Sequence, residues 1–270
     1  MSFSRKIALF ADLHSNLEAF EACYEHALEN GVGEFVFLGD LVGYNADPVA
    51  VLNRIMDLVA RGSAHAILGN HDEAIFTDHS AQMNANAWQA IQWTRAQLSN
   101  EHVEFLKSLP LIHQAEDVTY VHASAAKPEK WPYLDSGLAA WHCAEAAQTT
   151  YTFVGHVHEA TVYYQSTVGK LMRFQPHAGE PVPMSRHRRW VSVAGSLGQP
   201  RDGIPQAAYA IFEPEEEQTT FFRISYDHYR AADKVMSRST PRFSQSLTHG
   251  SINESRTSIS RRALSGRERN

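Results

Sequence analysis

A carboxylate and an imidazole stand two residues apart where an apolar segment of the chain ends. Asp12 and His14 follow residues 6–11, which read KIALFA and have the character of a buried strand. Because residues two positions apart can lie on the same side of an extended chain, Asp12 and His14 could bind one metal ion. The same pair could instead be a polar turn before a helix that Ser15 or Asn16 caps. This fragment alone does not distinguish the two.

Polar residues with the same chemistry follow four further strand-like segments. They are Asp40, Asn70, His122, and the pair His156 and His158. In an open α/β sheet, ligands bind beyond the carboxyl ends of the strands, so side chains far apart in sequence can meet at one edge. Taken singly, Asp40 and Asn70 could be turn residues, and His122 could be an ordinary histidine. Five strand ends that each carry a polar residue indicate one common cause, a metal site.

The elements that would position these residues alternate in type through the first half of the chain. Strand-like segments at 6–11, 34–40 and 64–72 are separated by helix-like segments at 15–31 and 47–62. This β-α-β-α-β order predicts an α/β sheet with crossover helices.

The second half of the chain is richer in short strand-like segments. Residues 80–110 are helical in pattern, and they either cover the sheet or form one wall of a substrate cleft. The later segments comprise one helix-like stretch, 137–148, and six strand-like stretches, at 118–122, 151–155, 162–166, 170–175, 190–195 and 207–213. We therefore expect a second sheet packed on the first.

Composition and length are those of a globular protein. The chain has 270 residues, of which 43% are hydrophobic and 20% charged, enough to bury a large core. No apolar run is long enough to span a bilayer, and the N-terminus has no signal-peptide pattern. Only two cysteines are present, Cys23 and Cys143, which argues against a disulfide framework. These features predict a cytoplasmic protein.

Charge divides the chain into two parts. Seven arginines and two glutamates give residues 237–270 a charge of +5, so the rest of the chain carries −11 of the total of −6. We expect residues 1–236 to form one domain and residues 237–270 to be a disordered tail rich in serine and arginine. An acidic body does not favour duplex nucleic acid as a partner, because that affinity comes from neutralising phosphates. Nothing in the sequence indicates an oligomeric state.

The motifs and their order resemble those of the calcineurin-like metallophosphoesterases. The matching motifs are Asp-Leu-His at 12–14, Gly-Asp-Leu-Val-Gly at 39–43, Gly-Asn-His-Asp at 69–72, His122, and Gly-His-Val-His at 155–158. The resemblance covers about residues 5–230. It is closest to a small bacterial phosphodiesterase-like branch that also favours GSxGQPRDG, here residues 195–203. One position departs from the family pattern, since Ala123 stands where the family has glycine.

The resemblance implies a fold of two stacked mixed β-sheets flanked by helices, a four-layer αββα sandwich. It also implies two divalent metal ions. The first would be held by Asp12, His14 and His158, the second by Asn70, His122 and His156, and Asp40 would bridge both. The implied catalytic residues are Asp40 and His71, with His71 and Asn70 facing the substrate. Residues 199–203 suggest a tight turn, from which Arg201 could contact a substrate phosphate.

Carboxylate, imidazole and amide ligands suit manganese, iron, zinc or nickel better than calcium, and we expect manganese first. Two cations about 3.5–4 Å apart can hold a hydroxide between them for in-line attack on a phosphoryl group. His71 could then protonate the leaving oxygen or stabilise charge on the phosphoryl group. We therefore predict a phosphoesterase that hydrolyses phosphodiesters, with a small molecule or nucleotide as substrate.

Alternatives remain within the class and outside it. Phosphomonoesters, phosphoproteins and dinucleoside polyphosphates are other substrates that the same metals could serve. A different class of function is a binding scaffold that has kept the fold and lost catalysis. Such a scaffold has no need of His71 or of the complete ligand set, and this chain keeps both.

Overall fold

Two six-stranded β-sheets form the centre of the protein. The structure is a computed structural model that describes residues 5–78, 80–81, 83–166 and 168–237. From edge to edge, the first sheet contains β3 (Ala64–Ala66), β2 (Glu34–Phe37), β1 (Ile7–Phe10), β11 (Ala207–Glu213), β12 (Gln218–Ile224) and β9 (Pro181–Pro183). The second contains β4 (Ile112–Ala115), β5 (Val118–Val121), β6 (Tyr151–Val154), β10 (Trp190–Val193), β7 (Thr161–Gln165) and β8 (Leu171–Phe174). Both sheets mix parallel and antiparallel neighbours.

Helices cover the outer faces of the sheets. In chain order they are α1 (Leu17–Glu29), α2 (Pro48–Ala60), α3 (Asn70–Glu73), α4 (Ala85–Gln97), α5 (Asn100–Ser108), α6 (Gly137–Ala147) and α7 (His228–Ser237). Helices α1 and α2 contact the first sheet, and α6 contacts the second. None of the helices in the described ranges is long and apolar enough to cross a membrane.

Alternate side chains of the central strands pack in two different apolar cores, one on each face of the sheet. In β1, Ala8 and Phe10 belong to the apolar core beneath the helices, whereas Ile7 and Leu9 belong to the core between the two sheets. Successive side chains of a strand point to opposite faces. A strand that is apolar throughout is therefore buried on both sides, as β1 is.

Large aromatic side chains fill the space between the sheets. The ring centroids of Tyr151 and Phe153 in β6 each lie 4.9 Å from that of Phe212 in β11. On the other side of the second sheet, Val154 packs in the cluster that contains the buried Cys143 of α6. The layers therefore follow the order helix, sheet, sheet, helix, which confirms the predicted fold.

Parallel pairing brings the ends of the site-bearing strands together. β2 lies parallel to both β1 and β3, which confirms the predicted β-α-β-α-β unit. In the second sheet, β6 lies parallel to both β5 and β10. Because parallel strands end at the same edge, the segments after β1, β2 and β3 form one cluster, and those after β5 and β6 form another.

Several elements differ from the predicted pattern. The helical pattern over residues 80–110 corresponds to two helices, α4 and α5, because the chain becomes extended at Leu98, where ψ is 139°. Ser99 then starts α5, with its Oγ 2.8 Å from Nδ1 of His102. The strands β4, β9 and β12 and the helices α3 and α7 were not predicted, and residues 70–72 of the strand-like segment 64–72 belong to α3. β9 reads Pro-Val-Pro, a sequence compatible only with an edge strand, which is where it lies.

Helix α7 closes the described part of the chain against α1 and α2. Lys234 forms ion pairs with Glu18 and Asp47, and its Nζ is 2.8 Å from Oδ2 of Asp47. The Asp47 side chain makes no cap hydrogen bond to α2, although the residue occupies the N-cap position. The tail predicted from residue 237 lies, apart from Ser237 itself, outside the described residues, so the domain boundary stays a prediction.

Candidate active site

The predicted metal-binding residues lie at the carboxyl ends of five strands. The segments that follow β1 and β2 run side by side, with the backbone N–H of Asp12 donating to Gly39 and that of His14 donating to Asp40. In the second sheet, the N–H of Gly155 donates to the carbonyl of His122. These bonds extend the pairing of the strands beyond the sheets and fix the segments that carry the site.

One group of potential ligands combines residues from both sheets. The ligand atoms of Asp12, His14, Asp40 and His158 all lie within 4.8 Å of one another, and all four residues are buried. Nε2 of His158 is 3.2 Å from Oδ1 of Asp12 and 3.3 Å from Nε2 of His14. Carboxylate and imidazole groups in this arrangement can hold a divalent transition metal.

A second group lies beside the first and shares Asp40 with it. Asp40, His122 and His156 have ligand atoms within 4.8 Å of one another. Nε2 of His122 is 3.2 Å from Nδ1 of His156 and 3.2 Å from Oδ1 of Asn70. The structure therefore brings together all seven residues that the sequence suggested as ligands.

The two oxygens of Asp40 have different neighbours. Oδ1 accepts a hydrogen bond from the backbone N–H of His71 at 2.8 Å. Oδ2 lies 3.7 Å from Nε2 of His14 and 3.4 Å from Nε2 of His122. Although burial by itself would raise the pKa of the Asp40 carboxyl, the His122 and His71 rings hold that pKa well below its usual value. Asp40 is therefore an ionised group between the two sets of ligands.

The hydrogen bonds of the histidine rings show that the first group fits a cation. His14 donates from Nδ1 to the carbonyl of Val42 at 3.2 Å, and His158 donates from Nδ1 to the carbonyl of Gln199 at 2.7 Å. A histidine ring that donates from Nδ1 presents Nε2 as an acceptor in its neutral form. The two Nε2 atoms face each other at 3.3 Å beside two carboxylates, an arrangement that a metal ion or a proton between them stabilises.

Strained backbone is concentrated at these same residues. Asp12, His14, Asp40, His156 and His158 all have positive φ, between 46° and 70°. The left-handed conformation costs a residue other than glycine about 1–3 kcal/mol, and such strain gathers at functional sites. The surrounding hydrogen bonds hold five potential ligands in this conformation, which argues that their positions serve binding rather than stability.

Close backbone packing keeps the site compact. A Cβ atom at Gly69 would lie 2.2 Å from the backbone nitrogen of Asp40 and 2.3 Å from its Oδ1. Glycine is therefore required at this position for the segment after β3 to approach the segment after β2. Ala123 does not have positive φ, so His122 is positioned without the glycine that the family pattern has there.

His71 lies beside the two groups and belongs to neither. Its ring is 4.8 Å from that of His14 and 4.7 Å from that of Tyr44. Burial lowers the pKa of His71 to about 4, so the ring is neutral near pH 7. Its Nδ1 is buried and has no hydrogen-bond partner among the described residues. A neutral imidazole of this kind can donate a hydrogen bond to a bound oxygen.

A cleft of about 130 Å³ opens above these residues. Its lining combines potential ligands, His71 and polar or aromatic side chains: Asp40, Tyr44, Asn70, His71, Met83, Asn84, Ala87, Tyr133, His156, His158 and Arg201. The start of α4 therefore forms one wall, the second of the two roles considered for residues 80–110. Arg201 lines the cleft and donates from Nη2 to Oε1 of Gln199 at 3.0 Å.

Some residues of the site were missed by the sequence patterns. Asp72 is fully buried and accepts hydrogen bonds from the backbone N–H of Val42 at 3.1 Å and of Gly69 at 3.0 Å. It thereby ties the segment after β2 to the segment after β3. Its place in the Gly-Asn-His-Asp motif was a signal for such a role. Tyr44 and Tyr133 stand outside the motifs and gave no comparable signal.

Comparisons with known proteins agree with this geometry. A family model described as the calcineurin-like phosphoesterase superfamily domain matches residues 6–217. The chain is 32% identical over 242 residues to the uncharacterized protein MJ0912 of Methanocaldococcus jannaschii, which covers 87% of this chain and 93% of that protein.

Solved structures show the same relationship. A metallophosphoesterase from Sphaerobacter thermophilus is similar with a TM-score of 0.75 and 32% identity, over 91% of this chain and 97% of that one. The hypothetical protein PH1004 from Pyrococcus horikoshii has a TM-score of 0.72 over 91% and 98% of the two chains, and at 18% identity it supports the fold alone. The chain belongs to the calcineurin-like phosphoesterase superfamily, a family of metal-dependent phosphoesterases.

Proposed function

We propose that this metallophosphoesterase hydrolyses phosphodiesters at a centre of two divalent metal ions. The observation that carries the proposal is the pair of ligand groups that share Asp40, each with at least one histidine from the second sheet. In this proposal Asp12, His14 and His158 hold one ion, and Asn70, His122 and His156 hold the other. Asp40 belongs to both groups of ligands and would help to hold both ions.

The metals and the chain would divide the chemistry between them. Two divalent ions, when bound, lower the pKa of water toward neutrality and attract the oxygens of a phosphoryl group. The backbone N–H of His71 occupies Oδ1 of Asp40, which leaves Oδ2 for coordination. The His71 ring lines the cleft and, being neutral near pH 7, would hydrogen-bond to the phosphoryl group. It would donate a proton to the leaving oxygen only if the charge of a bound phosphate raised its pKa. Arg201, which also lines the cleft, would orient the phosphate.

The charges of the cleft favour a diester over a monoester. A diester carries one negative charge, whereas a monoester carries close to two at neutral pH. Among the described residues that line the cleft, Arg201 is the one lysine or arginine. Enzymes that act on dianionic phosphoryl groups commonly place several fixed cations around them. A cleft with a single arginine therefore suits a monoanionic substrate better.

The test compares bis(p-nitrophenyl) phosphate with p-nitrophenyl phosphate, with Mn²⁺ and near pH 8. We expect a clearly higher kcat/KM for the diester. Asp40→Asn must lose both activities, because otherwise a contaminating phosphatase is being measured. A clear preference for the monoester, repeated with nucleotide substrates, would contradict the proposal and indicate a phosphatase.

The native metal and the cellular compartment are further parts of the proposal. The nitrogen and oxygen donor set, without thiolate ligands, supports manganese, with iron, zinc or nickel as the other metals of this preference class. Both cysteines of the chain are buried and free, which supports a reducing cytoplasm. Activity in a matrix of divalent metals, with metal analysis of the isolated protein, tests the first of these.

A further inference from the structure

We propose that Tyr133 is an aromatic platform on which the substrate stacks a nucleobase. The proposal rests on the phosphoesterase function proposed above and assigns the substrate to the nucleotides. Tyr133 lines the cleft together with His71 and Arg201. Its ring stacks on that of His156, with centroids 4.1 Å apart and an angle of 27° between the planes. The residue is 56% exposed, so a large part of the ring is open to a bound group.

The exposure of Tyr133 is imposed by the residues on either side of it. Leu134 is buried, and its carbonyl accepts a hydrogen bond from the Tyr163 hydroxyl at 3.0 Å. On the other side, Nε1 of Trp131 donates to Oε2 of Glu73 at 3.1 Å. The backbone around Tyr133 is therefore anchored at both ends, and the ring is presented to the cleft rather than left there by a loose loop.

Holding the Tyr133 ring in an exposed position is energetically favourable only if a bound group covers the ring. An aromatic side chain is a large apolar surface, and leaving it in water forgoes the gain that burial would bring. The ring of His156 covers one face of Tyr133. A flat aromatic group placed on the exposed side would complete the stack. Among phosphate esters, those of nucleosides carry a planar aromatic group at a short distance from the phosphate.

The polar lining of the cleft fits the same ligand. Arg201 and Asn84 line the cleft and offer N–H donors. A nucleotide has acceptors for both, in its phosphate oxygens and on the edge of its base. A lipid tail would use the aromatic ring alone and would make no use of these donors.

The experiment uses two diesters with the same leaving group. Thymidine 5′-(p-nitrophenyl phosphate) and methyl p-nitrophenyl phosphate both release p-nitrophenolate, and only the first carries a base. Stacking of a base on an aromatic side chain is worth about 5- to 150-fold in binding. We expect the preference in kcat/KM for the thymidine ester to fall by a factor in that range in Tyr133→Ala. Tyr133→Phe should keep the preference, because it keeps the ring.

Tyr229→Ala is the matched control, since Tyr229 is an exposed tyrosine on α7 that does not line the cleft. It should keep the wild-type preference. Metal analysis of all variants is needed because Tyr133 packs on His156, and equal metal content shows that the ligand is undisturbed. If Tyr133→Ala lowers kcat/KM equally for both esters, or leaves the preference unchanged, the nucleobase assignment is overturned.

A binding measurement separates this proposal from the phosphodiesterase proposal. Equilibrium dialysis with thymidine 5′-monophosphate and the Mn²⁺-loaded protein should show a Kd that rises by the same factor in Tyr133→Ala and is unchanged in Tyr133→Phe. If the wild type hydrolyses neither ester, the proposed function fails, and the dialysis still decides the role of Tyr133. If both esters are hydrolysed and thymidine monophosphate binds wild type and Tyr133→Ala equally, the role of Tyr133 is contradicted and the phosphodiesterase proposal stands.

Discussion

At the scale of single residues, the site depends on which polar atoms of a side chain bond to the backbone and which face the metal site. Oδ1 of Asp40 accepts a hydrogen bond from the backbone N–H of His71, and Oδ2 lies near Nε2 of His14 and Nε2 of His122. His158 shows the same division, because its Nδ1–H donates to the carbonyl of Gln199 while Nε2 faces Asp12. Asp40 and His158 therefore each have one atom that fixes the orientation of the side chain and one that is left for a metal, which is how outer contacts tune metal sites.

His71 provides a test of what a residue beside the metals contributes. We expect His71→Ala to keep its metals and its fold, because the ring belongs to neither ligand group. Positioned proton donors typically contribute about 10²–10⁴-fold in rate. If His71 protonates the leaving oxygen, diesters with alkoxide leaving groups should lose activity by that factor, and diesters that release nitrophenolate should lose much less.

The control for this variant is His142→Ala, which removes an exposed histidine from α6. Kinetics with leaving groups of graded pKa measure the effect. An equal loss with good and poor leaving groups would exclude proton donation and leave hydrogen bonding to the phosphoryl group as the role of His71. A loss of metal from His71→Ala would show that the ring supports the ligands directly.

At the scale of elements, the accuracy of sequence interpretation depends on how local the cause is. β1, α1, β2 and α2 were predictable because their apolar periodicity and their caps lie within each segment. The motif residues were predictable as a set because the ends of parallel strands meet. Tyr133 was not, since its exposure depends on the contacts of Leu134 with Tyr163, a partner distant in sequence.

The segment that contains Gly198 shows a further contact that no local pattern contains. The N–H of Gly198 donates to the carbonyl of Asp12, and the N–H of Leu197 donates to that of Ala11. A Cβ atom at Gly198 would lie 1.8 Å from the carbonyl oxygen of Leu13. The segment after β10 thus packs directly against the segment that carries the first ligands, and it also supplies the Gln199 carbonyl.

We expect Gly198→Ala to destabilise the protein, because the added Cβ meets backbone and no flexible side chain can move away. Overpacking of this kind costs about 1–3 kcal/mol, and more where the backbone must shift. For a domain of this size, about 2–3 kcal/mol lowers Tm by about 4–12 °C. Gly33→Ala is the matched control, since a Cβ there has no neighbour within 4 Å and φ is not positive. Equal Tm values for the two variants would contradict this packing.

At the scale of the whole molecule, the site joins the two sheets. Asp12, His14, Asp40 and Asn70 follow strands of the first sheet, and His122, His156 and His158 follow strands of the second. The sequence predicted that these side chains would meet at one edge of a sheet, whereas the structure divides the strands that carry them between two sheets. The cytoplasmic location and the disordered tail at 237–270 stay predictions, since composition alone supports them and the described residues end at Ser237.

A site shared by two sheets should couple metal binding to the stability of the entire fold. An ion at a concentration 100 times its Kd stabilises the protein by about 2.7 kcal/mol, provided that it does not bind the unfolded chain. At this size that corresponds to a rise in Tm of about 5–11 °C for each ion. We expect addition of Mn²⁺ to chelator-treated protein to raise Tm by at least this amount in calorimetry. In Asp40→Asn the rise should be much smaller, because this residue contacts both ligand groups. Asp233→Asn makes the same chemical change at an exposed position of α7 and should keep the full rise. If wild type and Asp40→Asn respond equally to Mn²⁺, the ions bind elsewhere and Asp40 does not bridge them.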